Sequence, residues 1–514
     1  MVGWVLGGWE RFIEDRVHTM STFQPRQLLL AAAVASSALP VFAQDHGFLE
    51  DASANLNLRN FFFNRNYTNP TKAQGGAQEW TQSFILDAKS GFTQGTVGFG
   101  VDVLGLYSLK LDGGRGTGGT QLLPLDHDGR PADEFGRLGV AFKARLSKTE
   151  LKMGEWMPVL PILRSDDGRS LPQTLRGGQI TSKEIDGLTL YGGQFRANSP
   201  RDDGSMSDMS MFGKTAFTSD RFNFQGAEYA FNDKRTQVGV WNAQLKDIYS
   251  QQYLNLIHSQ PVGDWTLGAN LGFFYGKDDG SARAGELDNK TWSGLFSARY
   301  GGNTFYVGLQ KLTGNSAWMR VNGTSGGTLA NDSYNSSYDN AEEKSWQVRH
   351  DYNFAALGVP GLTLMNRYIS GSNVHTGTIT DGKEWGRETE VGYTVQSGTL
   401  KNLNVRWRNS SMRRDYSNNE FDENRLIVSY PISLLYPGAA LTVWCAPAAA
   451  DPPCSGLYSG PARHEILRYS NRTVCPGLEP GGLHQRPHRP DATDRTTPAG
   501  PGADPLFADL RRWP

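Results

Sequence analysis

The sequence predicts an all-β fold, a membrane-spanning antiparallel barrel, on three observations. From Phe48 to Leu435, segments of about ten residues alternate polar and apolar side chains, the period of strands with one wet and one greasy face. Glycine-, asparagine- and aspartate-rich links separate the segments, short and long in turn. Beyond the amino-terminal segment, no stretch approaches the roughly 20 apolar residues a helix needs to cross a bilayer. A strand crosses with only every second residue apolar, so 38% hydrophobic residues and 60 glycines in 514 fit a barrel and not a helical membrane bundle. At about 20 residues per strand and link, there is room for roughly 16 to 18 strands, a size that leaves an aqueous channel.

In chain order, residues 1–19 read as a non-native upstream extension, from a start assigned too early. Residues 20–43 read as a secretory signal peptide. Arg26 supplies its basic region, Leu28 to Leu39 its apolar run, and Val41-Phe42-Ala43 a small-residue cleavage site before Gln44. The barrel, residues 44–435, opens with "NLNLRNFFFNRNY" and runs through "EWTQSFILDAKSGF" and "GTVGFGVDVLGLYSL" to "LNVRWRNSSM" and "ENRLIVSYPISLL". Residues 436–514 are proline-rich, without a strand or helix period. They read as a disordered or frameshift-derived tail rather than a periplasmic appendage closed by a Cys445–Cys454 disulfide. Cys445, Cys454 and Cys475 all lie there, so the barrel body has no thiol for a disulfide, a nucleophile or a metal.

The links give the orientation. "ARYGGNTF" and "SQPVGDW" turn tightly, whereas Lys110 to Gly139 and Leu312 to Lys344 are long. Short links belong at the periplasmic rim and long ones outside the cell. Tyr67, Trp80, Phe92, Tyr107, Trp346, Tyr352 and Tyr393 sit near strand ends, where interfacial aromatic girdles belong.

With the apolar face outward, each strand declares its lumen residues. Strand one turns Leu56, Leu58 and Phe62 to lipid and Asn57, Arg59, Phe61, Phe63 and Arg65 inward. The same parity puts Gln347, Arg349 and Asp351 inside, then Arg367, then Arg406 and Arg408, whose apolar neighbours are Val405 and Trp407. First and last strands adjoin when a barrel closes, so these arginines would share one wall. A guanidinium stays charged at physiological pH and grips a carboxylate with two parallel hydrogen bonds. Weak sites in series let an anion step through. The competing expectation is that the arginines only pair with Asp351, Glu388 and Glu390 to hold the wall's shape.

Other classes find little support. A net charge of −1 gives no general attraction for nucleic acid. His127, His258, His350 and His375 are far apart in sequence, and no H-E-x-x-H or phosphate loop occurs, so no enzyme, cofactor or metal is expected. "RDDGSMSDMSM" reads as an acidic, solvated loop in preference to a calcium site.

Several segments, among them "FLEDASANLNLRNFFFNRNY", "SLPQTLRGGQITSKEIDGLTLYGGQF", "EKSWQVRHDYN", "GVPGLTLMNRYISG" and "VQSGTLKNLNVRWRN", resemble the OprD family of substrate-specific outer-membrane porins of pseudomonads. The resemblance runs from about Phe48 to Leu435. It implies an 18-stranded barrel, inward-folded loops that narrow the pore, and an arginine ladder for passive uptake of small carboxylate-bearing solutes. The ladder would be Arg59, Arg65, Arg349, Arg367, Arg406 and Arg408. The constriction would comprise Arg169, with Ser165, Asp166 and Asp167 on one loop, and Asp332 and Ser333 on another. Implied partners are outer-membrane lipid and the solutes, with a monomer or loose homotrimer as the assembly. Of the family's two branches, "LPQTLRGGQITSKEIDGLTLYGG" is nearer to the one for aromatic or cyclic acids than to the one for basic amino acids and dipeptides. A non-selective porin and a structural barrel remain the other readings. Residues beyond Leu435 have no counterpart in the family, whose last strand carries the assembly signal at a free carboxyl terminus.

Overall fold

A computed structural model describes residues 47–435; the expectations for residues 1–19, 20–43 and 436–514 lie outside the described residues. The first strands are β1 (Ser53–Tyr67), β2 (Gly76–Lys89), β3 (Val97–Asp112), β4 (Glu134–Leu146) and β5 (Thr149–Trp156). A two-residue hairpin, β6 (Val159–Leu160) and β7 (Leu163–Arg164), precedes β8 (Thr174–Ser182) and β9 (Leu188–Ser199). A second small hairpin, β10 (Met209–Met211) and β11 (Lys214–Ser219), leads to β12 (Phe222–Phe231), β13 (Thr236–Leu245) and β14 (Tyr249–Val262). Then follow β15 (Trp265–Asp278), β16 (Asp288–Tyr300), β17 (Asn303–Thr313) and β18 (Lys344–Asn353). The series ends with β19 (Leu362–Thr376), β20 (Ile379–Thr394), β21 (Asn404–Arg414) and β22 (Phe421–Leu435).

Apart from the two small hairpins, these strands form one 18-stranded sheet. Every sequential pair is antiparallel, and β1 pairs with β22 as well as with β2, so the sheet closes. Closure leaves no unpaired edge of N–H and C=O groups, the condition for crossing lipid with strands. On one rim lie the long connections 113–133, 157–173, 200–221 and 314–343; on the other, the tight turns 147–148, 263–264 and 301–302. The expected asymmetry is therefore present, and the long-loop rim is the outer one.

The outward face is apolar. Phe142, Trp292, Val307, Val348, Trp407 and Leu426 are exposed on it, while Gln347, Arg367, Arg408 and Arg425 are buried on the other face. Trp80, Tyr107, Trp346 and Tyr393 are exposed near strand ends, as girdle residues should be. Two aromatics expected in the girdles are elsewhere. Tyr67 shares the inward parity of Arg65 and packs edge-on against Phe421, with ring centroids 6.4 Å apart. Phe92 lies in the turn 90–96, where Arg145 stacks over its ring at 4.2 Å.

The apolar core lies inside the barrel, to one side. Phe195, Phe224, Trp241, Tyr253 and Phe274 point inward from β9 and β12 to β15 and meet Leu163, Met209, Trp318 and Val321 from the loops. The Tyr253 and Phe274 rings stack 4.0 Å apart. Gly226 allows this packing, because a side chain there would strike the Trp241 ring. The loops thus plug one flank of the lumen with apolar contacts, each buried large side chain contributing about 1.5–3 kcal/mol. The remaining passage runs along the wall built from β18 to β22 and β1, and toward the short-turn rim it widens across β14 to β17.

Candidate functional site

Register brings the inward arginines onto that wall. Arg349 faces Arg367 across β18 and β19, and Arg367 faces Glu388 on β20. Glu388 faces Ser410, Ser410 faces Glu423, and Glu423 faces Arg65 on β1, completing one row. In the next row Glu390, Arg408, Arg425 and Phe63 are neighbours. Arg406 lies one pleat nearer the periplasmic rim, between Gly392 and Ile427.

Most of these cations are held by carboxylates. Arg59 clamps Asp167 at 2.7 and 3.1 Å and also donates to the Arg169 carbonyl at 2.8 Å. Arg65 pairs with Glu423 at 2.6 Å and Arg349 with Asp351 at 2.5 Å. Arg367 pairs with Glu388, Arg408 with Glu390, and Arg425 with Glu423. Asp351, Glu388 and Glu390 are the acids expected to hold the wall, and each takes an arginine. Arg406 differs: among the described residues it forms no ion pair, and its buried Nε has no hydrogen-bond partner.

The loop 157–173 reaches this wall. Asp166 caps the Gly168 N–H at 2.7 Å and pairs with Arg201 at 2.7 Å. Burial works against its charge, but Arg201 and Arg169 outweigh that and hold the carboxyl below its ordinary range. Arg169 donates from Nε to the Thr120 carbonyl at 2.8 Å and from Nη1 to the Gly168 carbonyl at 2.9 Å. Burial, with Arg201 and Arg425 close by, pulls the Arg169 guanidinium well below its usual pKa. Ser165 is buried within the loop, its hydroxyl unpaired, so it does not line the passage as expected.

The loop 314–343 supplies the other side. Asp332 accepts from the Ser337 hydroxyl at 2.7 Å, and its carbonyl accepts from Arg367 Nη1 at 2.8 Å. Removal from water pushes its carboxyl up to about 7, against the pull of the Ser337 hydroxyl, Arg320 and Arg367. Ser333 Oγ receives the Asn335 and Ser336 amides, each at 3.3 Å, and so stabilises the loop's turn. Tyr334, beside it, donates its hydroxyl to Glu390 at 2.9 Å and takes Arg408 over its ring at 4.0 Å.

The passage narrows between two chambers. The upper one, about 530 Å³, has Arg65, Arg169, Arg201, Arg320, Arg408 and Arg425 in its lining, together with Asp166, Asp332 and Ser333. The lower, about 580 Å³, includes Arg299, Arg349, Asp351, Tyr306 and Glu390. A cleft of about 70 Å³ past Asp332, Arg349 and Arg367 shares residues with both chambers, and a neck of about 20 Å³ below the upper chamber is bounded by Arg59, Asp167, Arg169, Arg406 and Arg408, with Phe61 and Ile427. That is room for little more than one water. Arg169 and Arg408 line both the upper chamber and the neck.

Several residues lining the lumen were not foreseen. Arg425 alternates with outward Leu426, so parity alone would have found it. Arg299 follows the same rule on β16. Arg201, Arg320 and Tyr334 sit on loops without a period, and no sequence signal marks them.

The sequence pattern described as "outer membrane porin, OprD family" matches residues 46–434. The porin-like protein GalP of Pseudomonas putida is 67% identical over 401 residues, 78% of this chain and 96% of that protein. A BenF-like porin from Pseudomonas fluorescens is 89% identical with a TM-score of 0.75, covering 76% of this chain and all of the solved one. Pseudomonas aeruginosa OccK2, solved with glucuronate, is 66% identical with a TM-score of 0.70, over 76% of this chain and 100% of that one. Pseudomonas aeruginosa OpdK, solved with vanillate, is 53% identical with a TM-score of 0.72, over 75% of this chain and 100% of that one. A closed 18-stranded barrel with a lumen narrowed by loops, matched along its whole length, identifies the chain as a member of the OprD family of outer-membrane porins.

Proposed function

We propose that this porin takes up small carboxylate-bearing solutes, aromatic or cyclic acids in particular, along its arginine wall. The observation that carries the reading is Arg406, a neck cation without a carboxylate partner among the described residues. Paired arginines already have their charge met, whereas Arg406 has hydrogen-bond donors to spare for a passing anion. Arg169, which donates to carbonyls and forms no ion pair among the described residues, adds a second cation at the same level. A carboxylate therefore drops from the upper chamber to the neck down a gradient of positive charge. It leaves toward the lower chamber, where Arg299 also forms no ion pair among the described residues.

Support for cyclic and aromatic acids comes from the relatives. Glucuronate and vanillate, bound in two of them, each join a carboxylate to a six-membered ring. A neck of this size passes a ring only when arginine side chains swing aside, and binding the carboxylate is what draws them. Liposome swelling tests the reading. Vesicles bearing the porin are expected to swell faster in benzoate than in arginine or an uncharged sugar of similar size. Equal rates would favour a non-selective pore, and faster swelling in arginine the basic amino acid branch.

A further inference from the structure

Arg169 stands in the neck without an ion pair among the described residues, and the carbonyl that fixes its Nε comes from Thr120. Thr120 belongs to the outer loop 113–133, which nothing in its sequence marks as an inward loop. What draws it in is Glu79. This residue lies on the inner face of β2, fully buried, and forms no ion pair among the described residues. A buried carboxylate without a cation is costly unless donors surround it. Here the donors are the loop's own. Thr120 Oγ1 donates to Glu79 Oε2, and the amides of Gly119, Leu122 and Leu123 face the carboxylate, although Oε1 completes no hydrogen bond.

The backbone is shaped for this. Gly119 and Gln121 adopt φ of 95° and 64°, left-handed conformations that turn successive N–H groups to one side and form a concavity for an anion. The Leu122 amide also donates to Thr120 Oγ1 at 3.1 Å. Leu122 and Leu123 then bury against Phe61 and Phe63 of the wall and against Leu171, two residues beyond Arg169. On the same face of β2, Thr81 Oγ1 meets Ser170 Oγ of the loop 157–173 at 2.7 Å, one residue from Arg169.

We propose that Glu79 is a positioning residue for the neck arginine: its carboxylate gathers residues 118–123 inside the barrel, and the Thr120 carbonyl so presented aims Arg169 at the passing anion. The proposal rests on the carboxylate reading of the neck for its consequence, but not for the coupling between the two residues. Glu79→Gln keeps the side chain's size and removes the charge that the hydroxyl and amides address. Wild type, Glu79→Gln, Arg169→Ala and the double variant are compared in planar bilayers, with benzoate on the outer side. Native barrel assembly is checked first by heat-modifiable mobility. Glu79→Gln is expected to shorten benzoate dwell times about five- to tenfold, and to change them little further when Arg169 is already alanine. An equal shortening in both backgrounds, or none in the wild-type background, overturns the proposal. If wild type shows no benzoate dwell, the carboxylate reading fails by itself, and the KCl reversal potential decides the coupling. It must shift with Glu79→Gln only while Arg169 is present; a like shift in both backgrounds, or none, refutes it. Thr120→Val, which removes only the hydroxyl, is expected to show the same coupling and replaces Glu79→Gln if that barrel does not assemble.

Discussion

Arg406 and Arg408 sit one pleat apart on β21 and face the same lumen, but only Arg408 has a carboxylate to hold, Glu390. The difference predicts two kinds of phenotype. Arg367→Ala strips the cation from Glu388, which is 2% exposed, and leaves its charge buried without a counter-ion. With only the Tyr334 amide, at 3.0 Å, still donating to it among the described residues, the loss should cost about 3–5 kcal/mol of barrel stability, read as a lower denaturant midpoint in vesicles. Arg406→Ala breaks no pair and should leave stability nearly unchanged while weakening the anion. Asp332 adds a pH dependence. Its carboxyl, raised to about 7, is mostly neutral at pH 5.5 and mostly charged at pH 8.5. Anion preference, measured by reversal potential in KCl, should therefore fall as pH rises through 7, and Asp332→Asn should flatten that part of the curve. Parity with Trp407 made the inward direction of both β21 arginines legible in the sequence. Which of them is paired was not legible, because Glu388 and Glu390 stand on another strand, in a register fixed by the connection 395–403.

At the scale of elements, the strands with clean alternation were readable and the loops were not. β1, β18, β19 and β21 turned the expected residues inward. β4, β5 and β8 were less distinct, because they carry small or charged residues inward, such as Gly139 and Lys143. The fold of the loop 157–173 over the neck was recoverable only through family resemblance. That of 113–133 was not recoverable at all, because its inward course depends on one buried carboxylate far away in sequence. Tyr338 shows how such loops are tethered. It is fully buried on the loop 314–343 against Ile369, Met412 and Phe421. Tyr338→Ala should remove about 3–5 kcal/mol of anchoring. Single-channel records should then show a larger, noisier open current, whereas a quiet current of wild-type size would mean the loop is anchored elsewhere.

For the whole molecule, lipid outside and a divided lumen inside follow from one alternation. β17 tests it, because Val307 faces lipid and Thr304 the lower chamber. Val307→Arg should cost about 2–4 kcal/mol near the membrane midplane, and Thr304→Arg far less, by unfolding titration in vesicles. The apolar plug against β9 and β12 to β15 narrows the lumen beside the arginine wall. On the proposed route a carboxylate crosses by binding the guanidinium of Arg406, which has no ion pair among the described residues. Single-channel recording with benzoate measures this directly. Arg406→Ala is expected to lower benzoate affinity about ten- to a hundredfold, the value of one charged hydrogen-bonded contact, while the KCl conductance stays within about twofold. Benzoate affinity unchanged in Arg406→Ala would contradict it.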